Sequence, residues 1–339
     1  MKITESRKIG KIAKSMTYTA HHVSSLFVLA LCMTLSTSSS AQEYPAKPIK
    51  VIVPFSAGGS VDLVARVISH KMSSAMGQQL VIENRPGAAG NIGATLVAKA
   101  PADGYTLLVT SNAYAVNPEL YEKMPFEAKD LFPVGMMAAA PNILVVRPSF
   151  PAKTLPEIIA LAKMQPVMYA SAGTGTTTHL AAELLASVAG ISLTQVNYKG
   201  GSGAINDLLA GQVDLMFSGI LTAMPFLKGD QLRPVAVTSL VRSKAVPDVP
   251  TVAELGYPGY ETMNWYVLMA PTGTPVPIIE KLNRQLNLAL KDVDVSALLK
   301  REGAEPMPGA SAEAQSFISK EARKWRKTLE ATGIRRSIR

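Results

Sequence analysis

Four loops rich in glycine, serine and threonine carry most of the chemistry this sequence can offer. They read SAGGSVD (56–62), SAGTGTTTH (171–179), YKGGSGAINDLL (198–209) and NRPGAAGNIGA (84–94). Each follows a short apolar run and precedes a helix-length stretch. The first N–H groups of a helix have no partner within it and carry the positive end of its dipole. Glycine lets such groups converge without Cβ clashes, and serine and threonine add hydroxyl donors. Together they make a site for a carboxylate or a phosphate. A hydrogen bond to a charged partner contributes about 1.5–3 kcal/mol. Micromolar binding needs about 8 kcal/mol, so several donors from two loops suffice even against the cost of association. One such loop alone is more often a plain connection; it is the repetition at corresponding junctions that points to an anion.

Other chemistries fare worse. GTGTTT (173–178) has the outline of a dinucleotide motif, but it ends in Thr and no acidic residue closes a following strand at the right distance. No Walker loop and no G-x-S-x-G elbow is present. Asp62 sits near a helix start, where it reads as a dipole partner rather than a general base. After residue 41 there is no cysteine, and His70 and His179 are the only histidines. That leaves no thiol nucleophile, no disulfide and no metal cluster. A hydrolase would have to rest on Asp62, His179 and scattered serines. No catalytic residue, metal or cofactor is expected.

The elements that must position these loops alternate. Candidate strands are 49–55, 79–84, 105–111, 143–148, 167–172, 194–198, 213–218, 232–239 and 265–271. Helix-length segments lie at 60–76, 91–99, 154–163, 176–189, 203–210 and 220–228, then 275–291, 294–301 and 311–331. This rhythm predicts an α/β fold with mainly parallel sheets flanked by helices. In such sheets ligands bind beyond the carboxyl ends of the strands, where the four loops fall. No floppy linker divides the chain, so ILVVRP and WYVLMAP are read as strands crossing between two lobes.

The 339 residues suffice for about two domains. The first 41 differ from the rest. A basic start (Lys2, Arg7, Lys8, Lys11, Lys14) leads into the apolar run LFVLALCMTL (26–35) and then STSSSAQ. This is the order of a secretory signal, with cleavage expected near Ala41-Gln42. Met16 is an alternative start, and no twin arginine is present. Cys32, the sole cysteine, lies inside the apolar run, which leaves lipidation open. The leader takes five of the 34 basic and one of the 25 acidic residues, leaving 29 and 24, a net charge of +5. Much of it lies in the last helix, which reads as a solvated face; with a signal peptide present, nucleic acid is not an expected partner.

Taken together, YPAKPIKVIVPFSAGGSVDLVARVI, VIENRPGAAGNIGA, YASAGTGTTTHLAAELL, YKGGSGAINDLLAGQVDLMF and WYVLMAPTGTP closely resemble the tripartite tricarboxylate transporter receptor family, the Bug-type periplasmic solute-binding proteins. The resemblance runs from about Tyr44 to the last helix. It implies a two-lobed periplasmic binding protein fold, type II-like, with the ligand cleft between lobes that close like a flytrap. The lobes are expected at 42–145 plus 265–339 and at 146–264, after a 1–41 signal peptide. The resemblance further implies a monomer that binds a small carboxylate and delivers it to the membrane subunits of a transporter. The same binding could serve extracytoplasmic sensing.

Carried over residue by residue, the family implies backbone donors at Ala57, Gly58, Gly59 and Ser60, with Asp62 in the same loop. From the other lobe it implies Ser171, Gly173, Thr174, Gly175, Thr176 and Thr177, with His179. Phe55, Ser56, Ser111, Asn112, Tyr198 and Ser218 are the expected selectivity positions. Two departures stand out. Many relatives carry an acidic residue where this chain has Ser218, which favours a simple organic acid over an amino acid. SNAYAVN (111–117) replaces commoner His-containing versions.

Overall fold

The computed structural model of the chain describes residues 43–332. The basic start, the apolar run with Cys32 and the expected cut after Ala41 lie outside the described residues. The chain begins with β1 (Ile49–Val53), α1 (Ser60–Met76), β2 (Leu80–Asn84), α2 (Asn91–Ala98), β3 (Thr106–Ser111) and α3 (Ala113–Leu120). It continues through β4 (Leu131–Val146), α4 (Leu155–Met164), β5 (Met168–Ser171), α5 (Thr177–Ala189), β6 (Thr194–Asn197) and α6 (Gly201–Leu209). Then follow β7 (Leu215–Gly219), α7 (Ile220–Lys228), β8 (Arg233–Val237) and β9 (Met263–Pro271). The last elements are α8 (Val276–Lys291), α9 (Val293–Arg301), β10 (Glu305–Pro306) and α10 (Ser311–Thr332).

The strands hydrogen-bond in the order β2-β1-β3-β9-β4-β7-β5-β6, with β8 and β10 also paired to β4. The outer strands are parallel: β1 with β2 and β3, β5 with β6 and β7. Each parallel step is a strand, a loop and a helix, so every such loop emerges at the carboxyl end of its strand. β4 and β9 run antiparallel to their neighbours in the middle.

β4 serves two sheets. Its residues 131–141 pair with β9, and 142–146 pair with β7. The sequence pattern predicts this strand only from Ile143. Pro133, Gly135 and Pro141 interrupt the earlier part, because proline cannot donate to a ladder and glycine packs nothing. The structure shifts register between Pro133 and Gly135 and again between Met136 and Ala138, and Pro141 stands at the last pair with β9, opposite Met263. The helix at Ala113–Leu120 is likewise missed by the pattern, since it contains Pro118. β9 lies between β3 and the first part of β4 and does not extend into the second sheet. The other passage between the sheets is instead made just before it, at Thr262. Thr238 ties both passages together: its hydroxyl accepts from the Asn142 N–H at 2.9 Å and donates to the Thr262 carbonyl at 2.5 Å.

Each sheet carries its own core. Leu144, Phe150, Leu155, Tyr169, Leu185 and Phe217 are buried together on one. Ile52, Leu108, Trp265, Val267 and Ile318 are buried on the other. A small third cluster joins Trp325 and Leu329 of α10 to Val116 and Leu120 of α3 and to Leu180 of α5. Among the described residues no helix is long and apolar enough to cross a membrane.

Trp265 anchors α10 to the first sheet. It is fully buried, meets Phe317 edge-on at 5.8 Å between centroids, and donates its indole N–H to Glu321 at 3.1 Å. Trp265→Ala is expected to lower stability by about 3–5 kcal/mol, as for other large-to-small changes in a core. Urea unfolding of the two proteins measures it; a loss below about 1 kcal/mol would contradict this packing.

Candidate functional site

A cavity of about 40 Å³ lies where the two sheets present their strand ends. Four helices begin at its wall. α1 contributes Gly59, Ser60 and Val61; α5 contributes Thr176, Thr177 and Thr178; α6 contributes Gly201; α7 contributes Gly219 and Thr222. Among the described residues, no side chain at the cap position closes the first turn of any of the four. Thr154 closes the start of α4 and Asp292 that of α9, while α2, α3 and α8 also start without a side-chain cap. The first amides of the four helices at the cavity are therefore offered to something other than a capping side chain.

Of the positions predicted from the sequence, Phe55, Gly59, Ser60, Ser111, Thr176 and Thr177 line this cavity. A second cavity of about 250 Å³ shares Phe55 and Ala172 with the first. Gly173, Thr174 and Tyr198 line it, together with Lys199 and Ala88–Ala89. Among the described residues neither lining includes an Asp or Glu. The loops that form these walls touch directly. Ser56 N–H donates to the Lys199 carbonyl at 3.2 Å, Ser56 Oγ lies 3.1 Å from Ser202 Oγ, and Ser60 Oγ lies 2.8 Å from Thr222 Oγ1.

The remaining predicted positions serve these loops from behind or beside. Ala57 and Gly58 form the exposed tip of the first turn. Gly58 has φ near +78°, the left-handed region, and its N–H donates to Asp62 Oδ2 at 3.0 Å. The two adjacent glycines thus do different things: one makes the turn, and the next stands close against the start of α6. Asp62 is buried and is not part of the cavity wall. It also accepts from Arg66 at 2.8 Å and from Asn84 at 2.8 Å. Burial alone would raise its pKa, but the bonds from Arg66, Gly58 and Asn84 outweigh that and hold it below the usual carboxylate range.

On the α5 side, Ser171 accepts from Gln195 at 2.7 Å. His179 is buried and turned back into the loop, where Nδ1 accepts the Gly175 N–H at 3.3 Å. Tyr198 lines the second cavity while its hydroxyl donates to Asp207 at 2.6 Å. Ser218 is buried and donates to the Gly219 carbonyl at 3.2 Å. Asn112 is wholly buried, and neither of its amide atoms has a partner.

Sequence reasoning missed Val61, Ala172, Thr178, Gly201, Gly219, Thr222 and Asn264 in the first wall. Val61, Ala172, Thr178 and Gly201 stand inside loops already singled out, so a wider reading would have reached them. Thr222 and Asn264 carry no local signal. Among the described residues no group of three or more His, Cys, Asp or Glu is placed to hold a metal.

The family model described as "Tripartite tricarboxylate transporter family receptor" matches residues 64–334. The chain belongs to this receptor family. Protein BugT of Bordetella pertussis is 38% identical over 301 residues, covering 87% of this chain and 92% of BugT. Among solved structures, the periplasmic binding protein BugD superposes with a TM-score of 0.83 at 33% identity, over 86% of this chain and 99% of its own. Rpa4515 of R. palustris, solved with adipate, gives 0.84 at 36% identity, over 86% and 99%. MatC of Rhodopseudomonas palustris, solved with bound malate, gives 0.81 at 33%, over 84% and 100%. This chain therefore has the two-lobed α/β fold of periplasmic binding proteins. It is a solute-binding receptor and not an enzyme.

His179 makes the fold of this receptor sensitive to acid. Burial pulls its imidazole from the ordinary 6.5 down to about 4. The unfolded chain takes up a proton near 6.5, while the folded receptor resists until about 4. Stability is thus full above 6.5 and falls as the pH drops toward 4. Between pH 7 and 5 the loss from this residue is about 2 kcal/mol. Urea midpoints across that range should fall for the native protein and stay flatter in His179→Gln. Equal slopes for the two proteins would show that His179 is not held neutral by the fold.

Proposed function

We propose that this receptor captures a small organic acid between its two lobes, at 42–145 with 265–339 and at 146–264, and hands it to the membrane subunits of a tripartite tricarboxylate-type transporter from the periplasm. The observation that carries the reading is the convergence of four uncapped helix starts on one cavity whose lining has no acidic side chain among the described residues. Each helix start near an anion adds about 0.3–1 kcal/mol, and each hydrogen bond to the charged group about 1.5–3 kcal/mol. The adipate and malate found with Rpa4515 and MatC are carboxylates of the expected kind.

In this reading the ligand carboxylate first meets the amides around Gly59 and Ser60. Closure then brings the start of α5, with Thr176 and Thr177, onto the same group. A ligand favours closure only through interactions it makes in the closed form and not in the open one, and the second loop supplies them. Phe55, Val61 and Ala172 give the carbon skeleton an apolar wall. The transporter can then distinguish loaded from empty receptor by the relative position of the lobes.

Calorimetric titration with a panel of mono-, di- and hydroxycarboxylates is expected to find at least one ligand of micromolar affinity. Binding should vanish for the corresponding amide. A panel in which no carboxylate binds, or in which the amide binds equally, sinks the proposal.

Gly219 provides a second check. A Cβ at this position would overlap Ser60 Oγ, wedging the starts of α1 and α7 apart. Overpacking costs about 1–3 kcal/mol, so Gly219→Ala should bind the same ligand about tenfold or more weakly. Unchanged affinity would place the ligand elsewhere.

A further inference from the structure

Among the described residues, four asparagines have buried amide atoms without a hydrogen-bond partner: Asn112, Asn117, Asn142 and Asn264. Buried amides are normally satisfied, and an orphan at a binding cleft marks where a partner belongs. Asn142 has one atom engaged, accepting from Thr177 Oγ1 at 3.4 Å. Of the four, Asn264 alone lines the cavity. It sits in β9 opposite Ala140 of β4, at the join of the two sheets, and is 7% exposed. Its Nδ2 donates to the Tyr266 hydroxyl at 3.2 Å, and its Oδ1 is unpartnered.

Tyr266 fixes this side chain. It is wholly buried, and its hydroxyl also interacts with Ser60, which in turn meets Thr222. The chain from Asn264 through Tyr266 and Ser60 to Thr222 engages the Nδ2 end, and the enclosed Oδ1 of this wall residue is left without a donor. That oxygen is an acceptor in a wall otherwise rich in donors. It repels a carboxylate oxygen and requires a donor on the ligand.

Two ligand groups could supply that donor, an ammonium or a hydroxyl. An ammonium enclosed here would find no carboxylate, since the lining contains no Asp or Glu among the described residues, and an unpaired buried charge is strongly disfavoured. A hydroxyl needs only the one acceptor. We infer that Asn264 is a specificity-determining residue that accepts a hydrogen bond from a ligand hydroxyl, so that the preferred solutes of this receptor are hydroxycarboxylates. This inference rests on the carboxylate-binding reading above and narrows it.

The test compares acids that share a carbon skeleton and differ in one group: lactate against propionate and pyruvate, and malate against succinate. Each is titrated into the native receptor and into Asn264→Leu, with thermal melting as a check on folding. The expected result is that the native receptor binds at least one hydroxy acid tenfold or more tighter than its deoxy partner, and tighter than the oxo acid where the set includes one. In Asn264→Leu that preference should shrink to about threefold or less, with the deoxy acid binding within about threefold of its native affinity. Deoxy or oxo acids that match or beat the hydroxy acids on the native receptor overturn the inference and leave carboxylate binding standing. So does a preference that survives the substitution. Native-protein titrations settle the first point even if the variant fails to fold. If no acid of the panel binds, both readings fall together.

Discussion

The constraint on which this receptor is built is that a helix cannot satisfy its own first N–H groups. A capping side chain can answer it locally, as Thr154 and Asp292 do here. At the cavity four helices leave it unanswered together, and their amides and hydroxyls share one small volume. Placing positive helix ends side by side is unfavourable in isolation, because like partial charges face each other in a poorly solvated space. The arrangement becomes favourable with a negative group between them. In the proposed function, electrostatics is what links occupation of the cavity to approach of its walls.

That proposal calls for no flexible tether between the lobes. The parallel βα units set the loops at the carboxyl ends of β1, β5, β6 and β7, so the walls are fixed by rigid strands behind them. On the proposed closure, movement is concentrated where few strands pass. The passages at Asn142 and Thr262 adjoin each other and share the hydroxyl of Thr238 as a common partner. A pair of neighbouring extended segments bends more readily than a packed core, whose interdigitated side chains resist small displacements. α10 adds a restraint, since Trp325 and Leu329 pack on both α3 and α5.

What could be read from the sequence follows from how local each signal is. Strand, glycine-rich turn and helix start are contiguous, so the junctions at 56–62, 171–179 and 198–209 stand out in one pass. The outer strands, with near-continuous apolar runs, are readable for the same reason. β4 is legible only in its last residues, because Pro133, Gly135 and Pro141 mimic a loop, while the ladder shifts register at the first two and ends its pairing with β9 at the third. Asn264 lies in the apolar stretch MNWYVLMAP, where a lone amide looks like an accident. Its meaning depends on β9 lying beside β4 and on Tyr266 turning its amide. Neither is visible from the neighbouring residues alone. The same holds for Thr222, which reaches the wall only because α7 starts opposite α1.

Asp62 poses the sharpest objection to an anion site, and its surroundings answer it. A carboxylate two residues into α1 would naturally claim the helix dipole and repel a second anion. Here the carboxylate is held behind the loop by three hydrogen bonds, from Gly58 and Arg66 on Oδ2 and from Asn84 on Oδ1. Arg66 compensates its charge directly, at 2.8 Å. The pair is close to neutral when viewed from the cavity, so little of its field opposes a ligand. Meanwhile the bond from Gly58 holds the turn whose following residues, Gly59 and Ser60, form the wall. A residue that looks like a competitor for the ligand's place is the one that shapes it, and its acid group does so from outside the cavity.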